Sequence, residues 1–297
     1  MANKGILYGI GAYIIWGFFP VFFKALHTVP ALQIVAHRIS GAFIFLLIVI
    51  ILRQRGGQFF KYFTQPKILL LYSIPAVLLA VNWLTYIWGV NSGYVVETSL
   101  GYFINPLVNV LLGVVLLREK LRVPQWVSVG LATIGVVYLT FLAGGLPWIA
   151  LMLAFTMGFY GLIVKIAPLR ALDSLGLETG ILFLPSLVYL FTVNYQATEP
   201  VWQQEPVVLV LIGLAGVITA TPLLLFSAAV RMIPLSSIGL LQYIAPTIQF
   251  LLGVYVYKEA FSTVDLIGFC LIWIALIVYS IDSIRFQRSK TLPSPAV

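Results

Sequence analysis

Long apolar stretches recur along the whole chain, separated by short connections, and no other feature of the sequence limits the fold so severely. A helix needs roughly 20 predominantly apolar residues to cross the hydrocarbon core of a bilayer. Stretches near that length run over 5–26, 31–52, 67–90, 95–117, 124–141, 147–165, 176–194, 206–230, 236–257 and 263–282. Each reads as a helix, because in lipid a segment must satisfy its own backbone N–H and C=O groups. Pro20, Pro75, Pro106, Pro185, Pro222 and Pro246 fall inside these stretches. Membrane helices accommodate such prolines where neighbours satisfy the freed carbonyls.

The residues are 61% hydrophobic and only 9% charged, too few charges to cover a soluble globule. Cys270 is the single cysteine, which excludes an intrachain disulfide and a thiolate metal cluster. His27 and His37 have no acidic neighbour at ligand spacing, so no zinc or iron site is expected. No Gly-rich loop ends in Lys-Ser or Lys-Thr, which argues against an ATP-driven motor, and no cofactor is expected. Neither a Ser/His pairing, an Asp pair nor a metal set falls within the spans, so the chain does not read as an enzyme.

The net charge of +8 does not mark a nucleic-acid surface, because the basic residues lie in connections between apolar runs. They report orientation instead. With the N-terminus inside, Lys4, Arg53, Arg55, Lys61, Lys67, Arg118, Lys120, Arg122, Lys165, Arg170, Arg231, Arg285, Arg288 and Lys290 all fall on the cytoplasmic side, and Lys258 on the outer side. Both termini are therefore expected in the cytoplasm. The first stretch lacks a small-residue cleavage site and reads as a retained helix rather than a removable signal.

A repeat recurs at a shift of about 140 residues. Leu100-Gly-Tyr-Phe-Ile-Asn-Pro106, Leu111-Leu-Gly-Val114 and Glu119 align with Leu240-Leu-Gln-Tyr-Ile-Ala-Pro246, Leu251-Leu-Gly-Val254 and Glu259. A weaker echo pairs Gly17-Phe18 and Lys24 with Gly158-Phe159 and Lys165. Five spans per half is an odd number, so the second half, 144–297 with a short basic tail, must be inverted relative to 1–143. Inverted repeats characterise secondary transporters, whose site lies near the midplane between halves.

With these motifs, together with Lys4 to Gly9, Tyr13 to Pro20, Pro30-Ala31, His37-Arg38, Asn82-Trp83 and Leu223 to Ser227, the sequence resembles the drug/metabolite transporter superfamily, EamA type, RarD subfamily. The segment after His37-Arg38 departs from it by reading Ile-Ser-Gly instead of a bulkier, Trp-containing run. The resemblance implies an all-α integral membrane protein of ten transmembrane helices in two inverted five-helix EamA repeats. It also implies a bacterial inner membrane location and transport of small organic metabolites or drugs.

Ionisable groups at bilayer depth are candidates for a substrate path or a packing pair. Arg38 is the leading one, as ligand contact or as a clamp between helices. His37 adjoins it, and neighbours on a helix point about a hundred degrees apart, so at most one should face a cavity squarely. Glu97, Gly101, Asn105 and Asn109 form a polar, small-residue stripe at spacing four, and Pro106 loosens the ladder near Tyr102. The second repeat offers Gln242 and Gln249. Trp16, Tyr86 and Tyr243 are the retained aromatic lining candidates, and Asn82 joins the pathway set. Glu178 is a candidate gate or ion pair, while Glu119 and Glu259 are expected to stabilise turns. The lipid bilayer and a small organic substrate are the expected partners, with proton coupling through His37, Glu97 or Glu178 left open. The alternative is a passive channel or facilitator pore, which would need more polar residues along the spans than this chain has.

Overall fold

The apolar runs form helices almost end to end in the computed structural model, which describes residues 2–26, 28–91, 95–142, 148–196, 201–256 and 263–291. The elements are α1 (Ala2–Gly17), α2 (Phe19–Lys24), α3 (Ala31–Leu52), α4 (Gly56–Tyr62), α5 (Pro66–Asn91), α6 (Val95–Val115), α7 (Val123–Leu142), α8 (Trp148–Ile166), α9 (Ala171–Gln196), α10 (Pro206–Met232), α11 (Leu235–Gln242), α12 (Ile244–Leu251) and α13 (Thr263–Thr291). A 3-10 turn, Val201–Gln203, precedes α10, and a π-helical turn, Leu252–Val256, follows α12. No strand occurs among the described residues. Seven helical segments are long and apolar enough to cross a membrane, counting α1 with α2 as one, and the apolar parts of α6 and α13 are shorter.

Among the differences from the sequence reading, three have a plain local reason. The first span is interrupted at Phe18, two residues before Pro20, whose ring and missing N–H break the ladder to Trp16. The ninth is interrupted at Tyr243, ahead of Pro246. The seventh begins at Ala171 rather than 176, because Asp173 in its first turn pairs with Arg55 at 2.7 Å and can therefore be buried. The short α4 follows Gln54, whose φ of 56° reverses the chain after α3.

Neighbouring helices pack where small residues let backbones approach. The tightest glycine contact among the described residues is α3 on α10, where Gly41 faces Gly216. α6 lies along α8, with Gly101 against Ala150 and Gly158 against Val108. α1 lies along α11 and α12, with Gly9 against Leu241 and Gly17 against Ile248. α7 pairs antiparallel with α13, where Gly135 meets Gly268. The main core gathers Tyr13, Val35, Leu79, Val108, Tyr160 and Phe226 from helices of both halves of the chain.

Two basic residues expected in connections serve as reciprocal helix caps. Lys165, in the last turn of α8, donates to the carbonyls of Val230 and Ile233 at the end of α10, at 2.8 and 2.6 Å. Arg231, in the last turn of α10, donates to Ala167 just past α8 at 2.8 Å. Each cation thus meets the partial negative charge of the other helix's C-terminus. Arg122 forms an ion pair with Asp282, tying the start of α7 to α13.

Candidate functional site

Arg38 lies about two turns into α3 and is only 5% exposed. Its Nε donates to the Thr219 hydroxyl of α10 at 2.8 Å, across the Gly41/Gly216 crossing that brings the two helices together. The guanidinium carbon lies 5.6, 5.1 and 5.0 Å from the ring centroids of Phe19, Phe23 and Trp83, within cation–π reach. Among the described residues no carboxylate pairs with it and no acceptor meets its two Nη groups.

Arg38 borders an internal cavity of about 90 Å³. A polar cavity of that size can hold several waters. Its polar lining comes from Asn82, Tyr86, Tyr102, Asn105, Thr219, Gln242 and Gln249, and its apolar lining includes Trp16, Leu79, Met157 and Leu223. Both halves of the chain contribute.

The amides that line it are held by backbone or by one another. Asn82 donates to the Leu153 carbonyl at 3.0 Å and to the Thr156 hydroxyl at 2.9 Å. Asn105 donates to the Ala154 carbonyl at 2.9 Å. Asn109, behind the lining, donates to Asn105 at 3.0 Å and to Gln242 at 2.9 Å, so α6 and α11 are joined by a chain of side-chain amides. Gln249 donates to the Trp16 carbonyl at 3.1 Å. That carbonyl is the acceptor Pro20 abandons, so an amide from α12 restores a rung the proline removed.

Of the sequence candidates, Arg38, Trp16, Asn82, Tyr86, Tyr102, Asn105, Gln242 and Gln249 lie around this one cavity. His37 does not, and among the described residues its buried Nε2 has no hydrogen-bond partner. Tyr243 is also outside. Its ring is fully buried with Phe103, Ala132, Val136 and Ile272, and its hydroxyl donates to the Phe103 carbonyl at 3.2 Å. The break after α11 turns it toward α7 and α13 instead of the cavity. Tyr243→Phe should cost about 1 kcal/mol of stability, the worth of one hydrogen bond, and leave the cavity intact; thermal unfolding in detergent measures the first.

Glu178 is not solvated and has no ion-pair partner among the described residues. It is completely buried in α9 and accepts from Tyr160 at 3.1 Å and Ser174 at 2.7 Å, with no cation paired to it among the described residues. The Glu97 side chain, Lys258 and Glu259 lie outside the described residues. Phe19, Phe23, Trp83 and Thr219 complete the Arg38 surroundings. The aromatics were visible in the sequence but indistinguishable from lipid-facing ones, and Thr219 carried no signal.

Glu119 does more than finish a turn. Arg118, at φ 53°, reverses the chain after α6, and the Glu119 N–H returns to the Gly113 carbonyl at 3.0 Å. The carboxylate passes over Gly113, where a Cβ would lie 2.7 Å from Oε2. It then accepts from the Leu235 N–H at 2.7 Å, the Ser236 N–H at 3.0 Å and the Ser236 hydroxyl at 2.6 Å. A residue of the first half thus caps the N-terminus of α11 in the second.

The chain matches the EamA-like transporter family twice, over residues 3–141 and 145–281. Protein RarD of Salmonella typhi is 40% identical over 288 residues, covering 97% of this chain and 98% of that protein. The uncharacterized transporter YojE of Bacillus subtilis is 41% identical, with 97% of each covered. Protein RarD of Escherichia coli is 38% identical over 96% of this chain and 97% of its own length. A crystal structure of 18% sequence identity superposes with a TM-score of 0.72, covering 94% of this chain and 98% of that one, which shows a shared fold. The all-helical architecture, the apolar segments of membrane-crossing length and the identity to RarD proteins agree: the chain is a bacterial multi-pass membrane protein of the drug/metabolite transporter kind and belongs to the EamA-like transporter family.

Proposed function

We propose that this protein is a secondary carrier that exports or exchanges small organic solutes by alternating access at the Arg38 cavity. Ten spans in two inverted repeats, 1–143 and 144–297, enclose that cavity, and both termini face the cytoplasm. The observation that carries this reading is that one cavity, closed by hydrogen bonds running between the halves, takes its polar lining from both.

Packing between the halves supports the repeat. Gly17 meets Ile248 while Gly158 meets Val108, and Gly9 meets Leu241 while Gly101 meets Ala150. In both sets the members correspond at a spacing of 140 or 141, so the same contact is made in both directions. Reciprocity of this kind is the signature of a two-fold relation between halves. Arg55, Arg122, Lys165 and Arg231 cluster where α3, α6, α8 and α10 end, which supports a cytoplasmic assignment for that face.

Counterflow into proteoliposomes tests the carrier. A preloaded solute should accelerate uptake of its labelled twin, with saturation; linear, unsaturable flux would favour a pore and sink alternating access. Repeating the assay under an imposed pH gradient reads out coupling. Identical rates would dismiss His37, Glu97 and Glu178 as proton carriers.

A further inference from the structure

We infer that the solute is an organic monoanion, a carboxylate on an apolar, planar body, with its charge on the two free Nη groups of Arg38. The inference deepens the carrier reading and rests on it for the step of transport, though not for binding.

A guanidinium offers five N–H donors. One is used, by Thr219, and the four on Nη1 and Nη2 have no protein acceptor among the described residues, on a side chain that lines the cavity. Among the described residues the charge meets three ring faces, which attract a cation but accept no in-plane hydrogen bond, and no carboxylate. A buried, unpaired cation at bilayer depth is a costly feature to keep unless a ligand completes it. The Nε–Thr219 bond and the flanking rings fix the plane of the fork, and a fixed fork matches a carboxylate with two parallel hydrogen bonds.

The remainder of the lining selects against other charges. Its polar groups, among the described residues, are amides and hydroxyls; no carboxylate lines the cavity. A cationic solute would meet Arg38 with nothing to offset the repulsion. A zwitterion could place its carboxylate on Arg38 but would leave an ammonium without a counter-charge. Trp16, Trp83, Tyr86 and Tyr102 supply flat apolar surface for the rest of the molecule, and Tyr86 and Tyr102 stand edge-to-face with centroids 5.7 Å apart.

Three probes share one ring and differ in charge: 3-phenylpropionate, phenylalanine and phenethylamine. Titrated into the purified full chain in detergent at neutral pH, with binding read by calorimetry, 3-phenylpropionate should bind at least tenfold more tightly than either of the others. Arg38→Lys, which keeps the charge but loses the fork, should weaken it at least tenfold, and Thr219→Val, which frees the fork to rotate, should weaken it with the fold retained. Tighter binding of phenylalanine or phenethylamine overturns the inference, as does no binding by any probe or an unchanged affinity in folded Arg38→Lys. Should Arg38→Lys fail to fold, the probe ranking and Thr219→Val decide. Counterflow separates the two readings: 3-phenylpropionate binding without flux keeps this inference and ends the carrier, whereas saturable flux of the amine alone keeps the carrier and ends this inference.

Discussion

Gly216→Ala is expected to remove most of the folded protein. A Cβ there would lie 2.1 Å from the Gly41 carbonyl carbon, 2.5 Å from the Gly41 Cα and 2.5 Å from the Ala42 nitrogen. All three are backbone atoms, which cannot rotate aside, so α3 and α10 would have to separate. Overpacking costs about 1–3 kcal/mol when side chains can adjust, and a backbone clash lies at or beyond the upper end. Separation would also break the Arg38–Thr219 bond one turn away. Gly41→Ala should be milder, since its Cβ would meet Gly216 at 3.1 and 3.3 Å. Gly213→Ala has open space and should be neutral or stabilising by about 1 kcal/mol through helix propensity. Expression and thermal unfolding in detergent should rank 213 above 41 above 216; any other order would mean that this crossing is not the tight one.

Glu119→Ala should have the next largest effect and a different character. It strips the α11 N-terminus of an acceptor serving two backbone N–H groups and one hydroxyl. Hydrogen bonds to a charged group contribute about 1.5–3 kcal/mol each, but the clasp is only part-buried, so water takes over much of what its three donors and the helix dipole lose. A loss of about 2–4 kcal/mol would fall on the arrangement in which α6 and α11 are clasped, rather than on the helices themselves. The expected result is therefore access. A cysteine at buried Leu112, with Cys270 replaced by Ser, should react with maleimide at least tenfold faster once Glu119 is Ala. Ser236→Ala, which removes one of the three donors, should produce a smaller change. Labelling that stays slow in Glu119→Ala would show that the clasp does not close anything.

The helices were readable because lipid leaves a backbone few alternatives, and a run of apolar residues between charged connections has clear edges. For α3 the sequence boundaries and the observed ones, Ala31–Leu52, coincide. The breaks were less readable. Proline positions announce where a ladder is weakened, but whether it is interrupted depends on what lies alongside, such as Gln249 reaching the Trp16 carbonyl. Within the site, helical spacing grouped Gly101 and Asn105 on one face of α6, and both border the cavity. Spacing could not choose between His37 and Arg38, nor foresee that Tyr243 turns away, because each depends on the direction from which a distant helix approaches. Thr219 was invisible for the same reason: a threonine in an apolar run becomes meaningful only when a guanidinium is delivered from 181 residues away.

The bond from Gln249 to Trp16 carries one further implication. A kinked first span depends, for a single missing rung, on a side chain that belongs to another helix altogether. Whenever those helices part, the carbonyl at position 16 is stranded in hydrocarbon unless a solvent molecule follows it in. In the proposed carrier, wetting of the cavity and separation of its walls would consequently be one event.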